Sequence, residues 1–437
     1  MTKPLNTLLI IGYVWPEPNS SAAGTRMMQL IQLFKEHDWH ITFASPAKQG
    51  EHKENLSVLG IHEVKIELND ESFDRFVTEL SPNLVIFDRF MMEEQFGWRV
   101  EAHAPHALRI LNTEDLHSLR TCRQLRLKSE LKHLKKRTNS TLDLTQIGLT
   151  DLTEITNQMK QTELAQREIA SIFRSDLTLM ISKVETQFLE TTFQVPQSQL
   201  FYLPFQYDKK DIQQLPLFEQ RNHFVTIGNF RHDPNWDSVL WLKESIWPKI
   251  KTALPDAQLH IYGAYPPPKA TALNNPKQGF LVKGWAKDAH EVIQNAKVLL
   301  APLRFGAGIK GKLAEAMING TPSVTTPIGA EAMYQEQNET WPGAISQTAE
   351  DFAQQAINLY QNQDEWLKQQ QQGYKVVSRE FIKTIDFTDA FLNQIETILG
   401  DLDSHRNQHF IGAMLNHHYH KSTKYMAQWI EAKNKLS

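Results

Sequence analysis

Residues Ala301 to Glu331 read APLRFGAGIKGKLAEAMINGTPSVTTPIGAE, and this stretch decides the fold. It follows an apolar run, Lys297 to Leu300, of the kind that makes a buried strand, and breaks into a loop with glycines at Gly306, Gly308 and Gly311. A helix-forming segment runs from Lys312 to Met317. Gly320 stands where a left-handed cap belongs, Pro322 blocks continuation, and Ser323 to Thr326 reads as the next strand. The first turn of such a helix carries unpaired amides and the positive end of the helix dipole, and the small residues let an anion come close. Lys310 and Lys312 add full charge there, Arg304 precedes the loop, and Ile309 lies within it. Glu315, one turn in, can accept hydrogen bonds from both hydroxyls of a ribose. Together these residues describe a pocket for a nucleoside diphosphate. A lone glycine loop would more simply be a surface turn leading into a solvated basic helix, with Arg304 in a structural ion pair.

The same residues carry a resemblance. The pattern from Pro302 through Thr326 resembles the carboxyl-terminal domain of the family 4 glycosyltransferases, which have the GT-B fold. The likeness extends to GYVWPEPNSSAAGTRM (residues 12–27) and NTEDLHSLR (residues 112–120), and so covers most of the chain to about residue 400. It implies transfer of a sugar from a nucleotide-diphosphate donor to a hydroxyl acceptor, with retention and without a metal or other cofactor. The acceptor class it implies is a sugar or lipid-linked sugar of bacterial surface polysaccharide or glycoconjugate. One departure stands out. Many members carry two glutamates eight positions apart; Glu315 matches the second, and Ala307 stands where the first would be.

Around this stretch, short apolar runs alternate with helix-period segments. The first half offers strands at residues 8–11, 40–43, 84–87, 108–111, 177–181 and 200–203, with helices including Thr25 to Glu36 and Gln161 to Phe173. The second half restarts with strands at 224–228, 258–263 and 280–284 and a helix from Ser238 to Ala253. Strand alternating with helix means crossover units and a parallel sheet covered on both faces. The expected architecture is α/β: two Rossmann-like doubly wound domains with an interdomain cleft. We expect residues 1–210 as an acceptor domain with a basic helical insert at about 118–165, and residues 211–385 as the nucleotide-sugar domain. Residues 386–437 would be a crossover helix and a polar, histidine-containing tail, and 206–222 is the best linker.

Ligands of open parallel sheets bind beyond the carboxyl ends of strands. Candidates there include Gly228 and Arg231, where related enzymes place basic phosphate ligands, and Trp285, whose indole either stacks on the donor base or fills core. In the first half, Gly12, Ser21 and Gly24 let a substrate approach the backbone, and Arg26 could meet a phosphate; Ser20 or Ser21 alone would explain a capped helix start. Past the strand at 108–111, Asp115 or Glu114 would orient an acceptor hydroxyl, and His117 would bind the transferred sugar or shuttle a proton. These three could equally cap the following helix.

Composition sets limits. At 437 residues, 41% hydrophobic and 22% charged, the chain suits a two-domain globular protein. A net charge of −4 gives no general attraction to nucleic acid. Cys122 is the only cysteine, and no leader or membrane-spanning run is evident, so a cytoplasmic protein is expected. The run Arg120, Arg123, Arg126, Lys128, Lys132, Lys135, Lys136, Arg137 either rests on an anionic membrane's inner face or is a solvated face. Asp401 with Asp403, and the histidines at 405, 409, 417, 418 and 420, read as surface features rather than metal ligands. The rivals to sugar transfer are epimerisation of a nucleotide sugar and non-catalytic nucleotide-sugar binding.

Overall fold

The computed structural model describes residues 6–134, 142–210, 214–335, 337 and 339–436, with backbone alone for 419–423 and 434–436. Seven strands form the first sheet: β1 (Thr7–Ile11), β2 (His40–Ser45), β3 (His62–Lys65), β4 (Leu84–Asp88), β5 (Leu108–Asn112), β6 (Leu177–Met180) and β7 (Leu200–Tyr202). They lie parallel in the order β3-β2-β1-β4-β5-β6-β7. Six more form the second: β8 (Asn222–Ile227), β9 (Leu259–Tyr262), β10 (Phe280–Gly284), β11 (Ala296–Ala301), β12 (Ser323–Thr325) and β13 (Gly343–Ile345), ordered β10-β9-β8-β11-β12-β13. The period of two explains both cores. Leu9, Ile11, Val85, Phe87 and Leu111 fill one face of the first sheet, while Leu8, Ile10, Leu84, Ile86 and Ile110 fill the other.

The helices used below are α1 (Ala22–Lys35), α2 (Phe90–His103), α3 (His117–Leu134), α4 (Leu152–Met159), α5 (Glu163–Arg174), α6 (Lys183–Phe193), α7 (Asp233–Trp241), α8 (Gly311–Ile318), α9 (Gln363–Glu380), α10 (Ile385–Gly400) and α11 (Phe410–Leu436). The helix expected over 238–253 starts at Asp233 and passes through a π turn, Leu242–Ile246, before Trp247–Ala253. Pro248 lies just past the turn, where its ring and missing amide disturb regular α bonding.

Three parts differ from the sequence reading. The insert does not stand apart as a basic face. Leu127, Leu144 and Ile147 pack into the core of the second domain, and Leu144 N donates to Gln347 O (3.1 Å). Arg123 is fully buried and donates to Leu149 O (2.9 Å), to Gly306 O (2.8 Å) and to both oxygens of Glu331 (2.8 and 2.6 Å). Arg120 pairs with Asp115, and Arg126 with Ile147 O and Glu154. Lys128 and Lys132 remain exposed; Lys135, Lys136 and Arg137 lie outside the described residues. The proposed linker is also docked at its end, where Arg221 donates to Thr321 Oγ1 (2.7 Å) and Asn319 O (3.0 Å).

The carboxyl-terminal region is the third. The chain crosses back at 381–384: α9 packs on α8, while Phe391, Ile395 and Ile398 of α10 join the first domain's core beside Phe34. Beyond it the expected polar tail is helical. Asp401 caps a short helix, His405 Nε2 lies 2.8 Å from Asp176 O, and α11 lies along α5 and α2. Arg99 ties Asp74 to Glu431, so this tail belongs to the first domain. Among the described residues, no helix is long and apolar enough to cross a membrane.

Candidate active site

The carboxyl ends of both sheets face one cleft with two connected parts. The inner part is lined by Ser20, Ser21 and Ala22 of the first domain and, from the second, by Gly228, Asn235, Trp285, Ala286, Gly306, Ala307, Ile309, Lys310, Gly311, Lys312 and Glu315. The outer part is lined by Tyr13, Trp15, Glu17, Gly24, Asp88, Arg89, Glu114, Asp115, His117, Arg120, Arg231, His232 and Tyr265. Ser21, Ala22, Asn229, His232, Ala307 and Ile309 border both.

Two helix starts meet at the junction. Ser21 caps α1 by accepting from Gly24 N (3.0 Å), and Lys310 stands at the cap of α8. The helices approach so closely that a Cβ on Gly311 would lie 2.9 Å from that of Ala22; glycine is required there by contact, not by φ. Lys310 is buried, its ammonium donating to Gly308 O (2.7 Å), and burial lowers its pKa although Glu331 and Glu185 oppose the shift. Lys312 donates to Asn235 Oδ1 (2.7 Å) and is lowered by burial to about 8. Glu315 is pushed up by burial to about 7, Lys312 offsetting part of the shift.

Two placements depart from the expected phosphate cradle. Gly308 has φ 63°, and its amide donates to Glu185 of the first domain rather than into the pocket. A Cβ there would meet that of Asp115 at 2.8 Å, so this glycine lets the two domains' loops touch. Arg304 is not on the pocket wall: it holds Asp237 with Nε and Nη2 (2.8 and 2.6 Å) against Trp241, the structural ion pair.

Trp285 is not core. Its indole donates to Asn19 O (3.0 Å) and stacks on His52 at 4.2 Å, bridging the domains at the edge of the inner pocket. Arg231 lies in the outer part, 3.7 Å above the Tyr265 ring. Gly12 packs beneath Phe43 and Gly24 beneath the Glu17 backbone, which sets loop shape. Arg26 is buried under the cleft, donating to Pro204 O (2.8 Å) with Nε and Nη2 unpartnered; burial lowers it to about 10.

On the wall of the outer part, burial would raise Asp115, but Arg120 and His117 hold it well below the carboxylate range. His117 is lowered by burial to about 4 and is neutral near pH 7. Glu114 (φ 64°) accepts from Asn112 Nδ2 (2.8 Å) and is raised by burial and Asp88 to about 8. Two carboxylates that sequence reasoning missed hold this loop. Glu168 accepts from His117 N (2.7 Å) and Ser118 N (2.9 Å). Glu185 accepts from Leu116 N (3.1 Å) as well as from Gly308 N. Ser182-x-x-Glu185 has the spacing of a helix start, the one signal available for it.

Solved structures share this two-domain fold. A glycosyltransferase from Rickettsia africae ESF-5 superposes with TM-score 0.62 at 10% identity, covering 91% of this chain and 100% of that one. Anabaena HepE, solved with UDP and glucose, gives 0.59 at 12% over 89% and 99%. The fold is GT-B. A TarM mutant from S. aureus, solved with fondaparinux, alpha-GlcNAc-glycerol and UDP, gives 0.53 at 12%; it matches 74% of this chain, which spans 58% of that protein. The family model described as glycosyl transferases group 1 matches residues 221–362, within the second GT-B domain. No curated protein matches by sequence. Among the described residues, no group of three or more His, Cys, Asp or Glu is placed to hold a metal ion.

Proposed function

We propose that this chain is a glycosyltransferase that moves a sugar from a nucleotide-diphosphate donor to a hydroxyl acceptor, with retention and without a metal. The observation that carries the reading is the convergence of Lys310, Lys312 and Glu315 on the start of α8, facing Ser21 and Ala22 across the cleft. The match of residues 221–362 to glycosyl transferases group 1 supports it. The diphosphate lies at the two helix starts, where amides and the Lys310 ammonium stabilise charge on the leaving phosphate. Glu315 takes the ribose and Trp285 borders the base. The acceptor enters the outer part, where ionised Asp115 and neutral His117 orient its hydroxyl. Closure over the junction excludes water that would hydrolyse the donor. We place the enzyme in the cytoplasm, in surface polysaccharide or glycoconjugate assembly, with any anionic-membrane contact falling to Lys128 and Lys132 among the described residues.

The test is to incubate the purified chain with a panel of nucleotide sugars, with and without saccharide and lipid-linked acceptors, in the presence of a chelator. Acceptor-dependent release of nucleoside diphosphate is expected. An epimerised sugar formed without acceptor, or nucleotide binding with no turnover on any acceptor, would overturn the assignment.

A further inference from the structure

The outer part of the cleft holds two guanidiniums, of Arg89 and Arg231, that the proposed transfer does not use. Its acids are engaged within the protein. Asp88 accepts from Tyr13 N (3.2 Å), Glu17 from the Tyr265 hydroxyl (2.7 Å), Glu114 from Asn112, and Asp115 from Arg120. The two guanidiniums facing this part of the cleft have no comparable partner among the described residues. Arg89 lies over the Tyr13 ring at 5.1 Å, with Asp88 no nearer than 4.0 Å. Arg231, from the opposite domain, has the Tyr265 ring beneath it at 3.7 Å.

The backbone marks the same place. Arg89 has φ 71° and ψ 155°, a region open in practice only to glycine. Glu114 (φ 64°) and Tyr265 (φ 56°) are also left-handed, and all three line this one pocket. Arg89 stands at the carboxyl end of β4, where its amide donates to Asn112 O (2.8 Å) and its side chain borders the pocket.

Resting on the transfer reading above, we propose that the acceptor carries an anionic group, a phosphate or a carboxylate, held between Arg89 and Arg231. A guanidinium offers paired donors in a plane that matches either anion, and each of these two stands over a tyrosine ring. The inference also gives Arg231 an acceptor role in place of the donor-phosphate role its sequence position suggests.

The probes are glucose 6-phosphate, glucuronate and glucose, titrated calorimetrically into the full chain saturated with whichever of UDP, GDP or ADP binds. Both anionic sugars should bind about tenfold or more tighter than glucose, less so at high salt, and their ranking separates phosphate from carboxylate. Arg89→Gln and Arg231→Gln should each remove most of that preference while nucleotide affinity stays parental. Arg89→Gly should remove it and raise Tm, because glycine relieves the strain. Equal binding of glucose and the anionic sugars, or no binding of either anionic sugar, would overturn the inference. So would an Arg231→Gln protein whose loss falls on the nucleotide. Failure of every nucleotide to bind would instead refute the transfer reading on which it rests.

Discussion

Replacing Arg123 by methionine should loosen the two domains. The side chain is fully buried and makes four hydrogen bonds, three of them to the second domain at Gly306 O and Glu331. Methionine keeps the apolar stem but leaves the Glu331 carboxylate without its cation. Removing one partner of a buried pair costs about 3–5 kcal/mol. Lys310 is near enough to Glu331 to offset part of this, so we expect about 3 kcal/mol. If the loss falls on domain closure, it shifts the closed–open balance by about 150-fold. Urea denaturation would read the stability, and solution scattering the radius of the unliganded chain. Arg123→Met with Glu331→Met should recover most of the loss, because no charge is then stranded. The pH dependence follows from Glu331, whose pKa burial would raise but Arg123 holds below 4.5. The pair's contribution is complete above 4.5 and disappears as pH falls through the lowered folded value, and Arg123→Met should lack that acid-side decline. A loss under about 1 kcal/mol with an unchanged radius would refute the reasoning.

Two further predictions concern the inner pocket. Lys310→Met, which keeps the buried stem, should lower kcat/KM by roughly 10- to 150-fold, mostly through kcat; parental steady-state kinetics would remove Lys310 from the site. Glu315, raised by burial to about 7, should bind the ribose of a phosphate-free nucleoside several-fold less well at pH 6 than at pH 7.5, because protonation leaves it a poorer acceptor. Glu315→Gln should flatten that calorimetric profile. It should also gain stability relative to the parent as pH rises from about 4.5 to 7, since charging a buried acid disfavours the fold. A pH-dependent nucleoside affinity that persists in the variant would assign the titration elsewhere.

What the sequence revealed follows from where each residue finds its partner. Central strands such as β1, β4 and β11 bury both faces and read as unbroken apolar runs. Edge strands β3 (HEVK) and β13 (GAI) bury less and carry no such run, so they were missed. The loop and helix of 301–320 were readable because a strand, a turn and a cap are local. Arg304 and Arg123 could not be assigned, because their carboxylates lie 67 and 208 residues away. Both then look like free cations, and a run of them like a basic surface. The tail was misread for the same reason: Arg99 and Glu431, 332 residues apart, anchor a helix whose own sequence mixes polar and apolar residues evenly. Gly308 looked like a phosphate-cradling glycine, yet its need is set by Asp115 across the cleft.

The most direct test of the central claim is a crystal structure of the chain with the nucleoside diphosphate that binds it best. The account predicts the diphosphate at the facing starts of α1 and α8, with the Lys310 ammonium released from Gly308 O onto the terminal phosphate. The ribose hydroxyls should lie on Glu315, and the base beside Trp285. A nucleotide bound elsewhere, or one in the cleft with Lys310 and Glu315 out of contact, would contradict it.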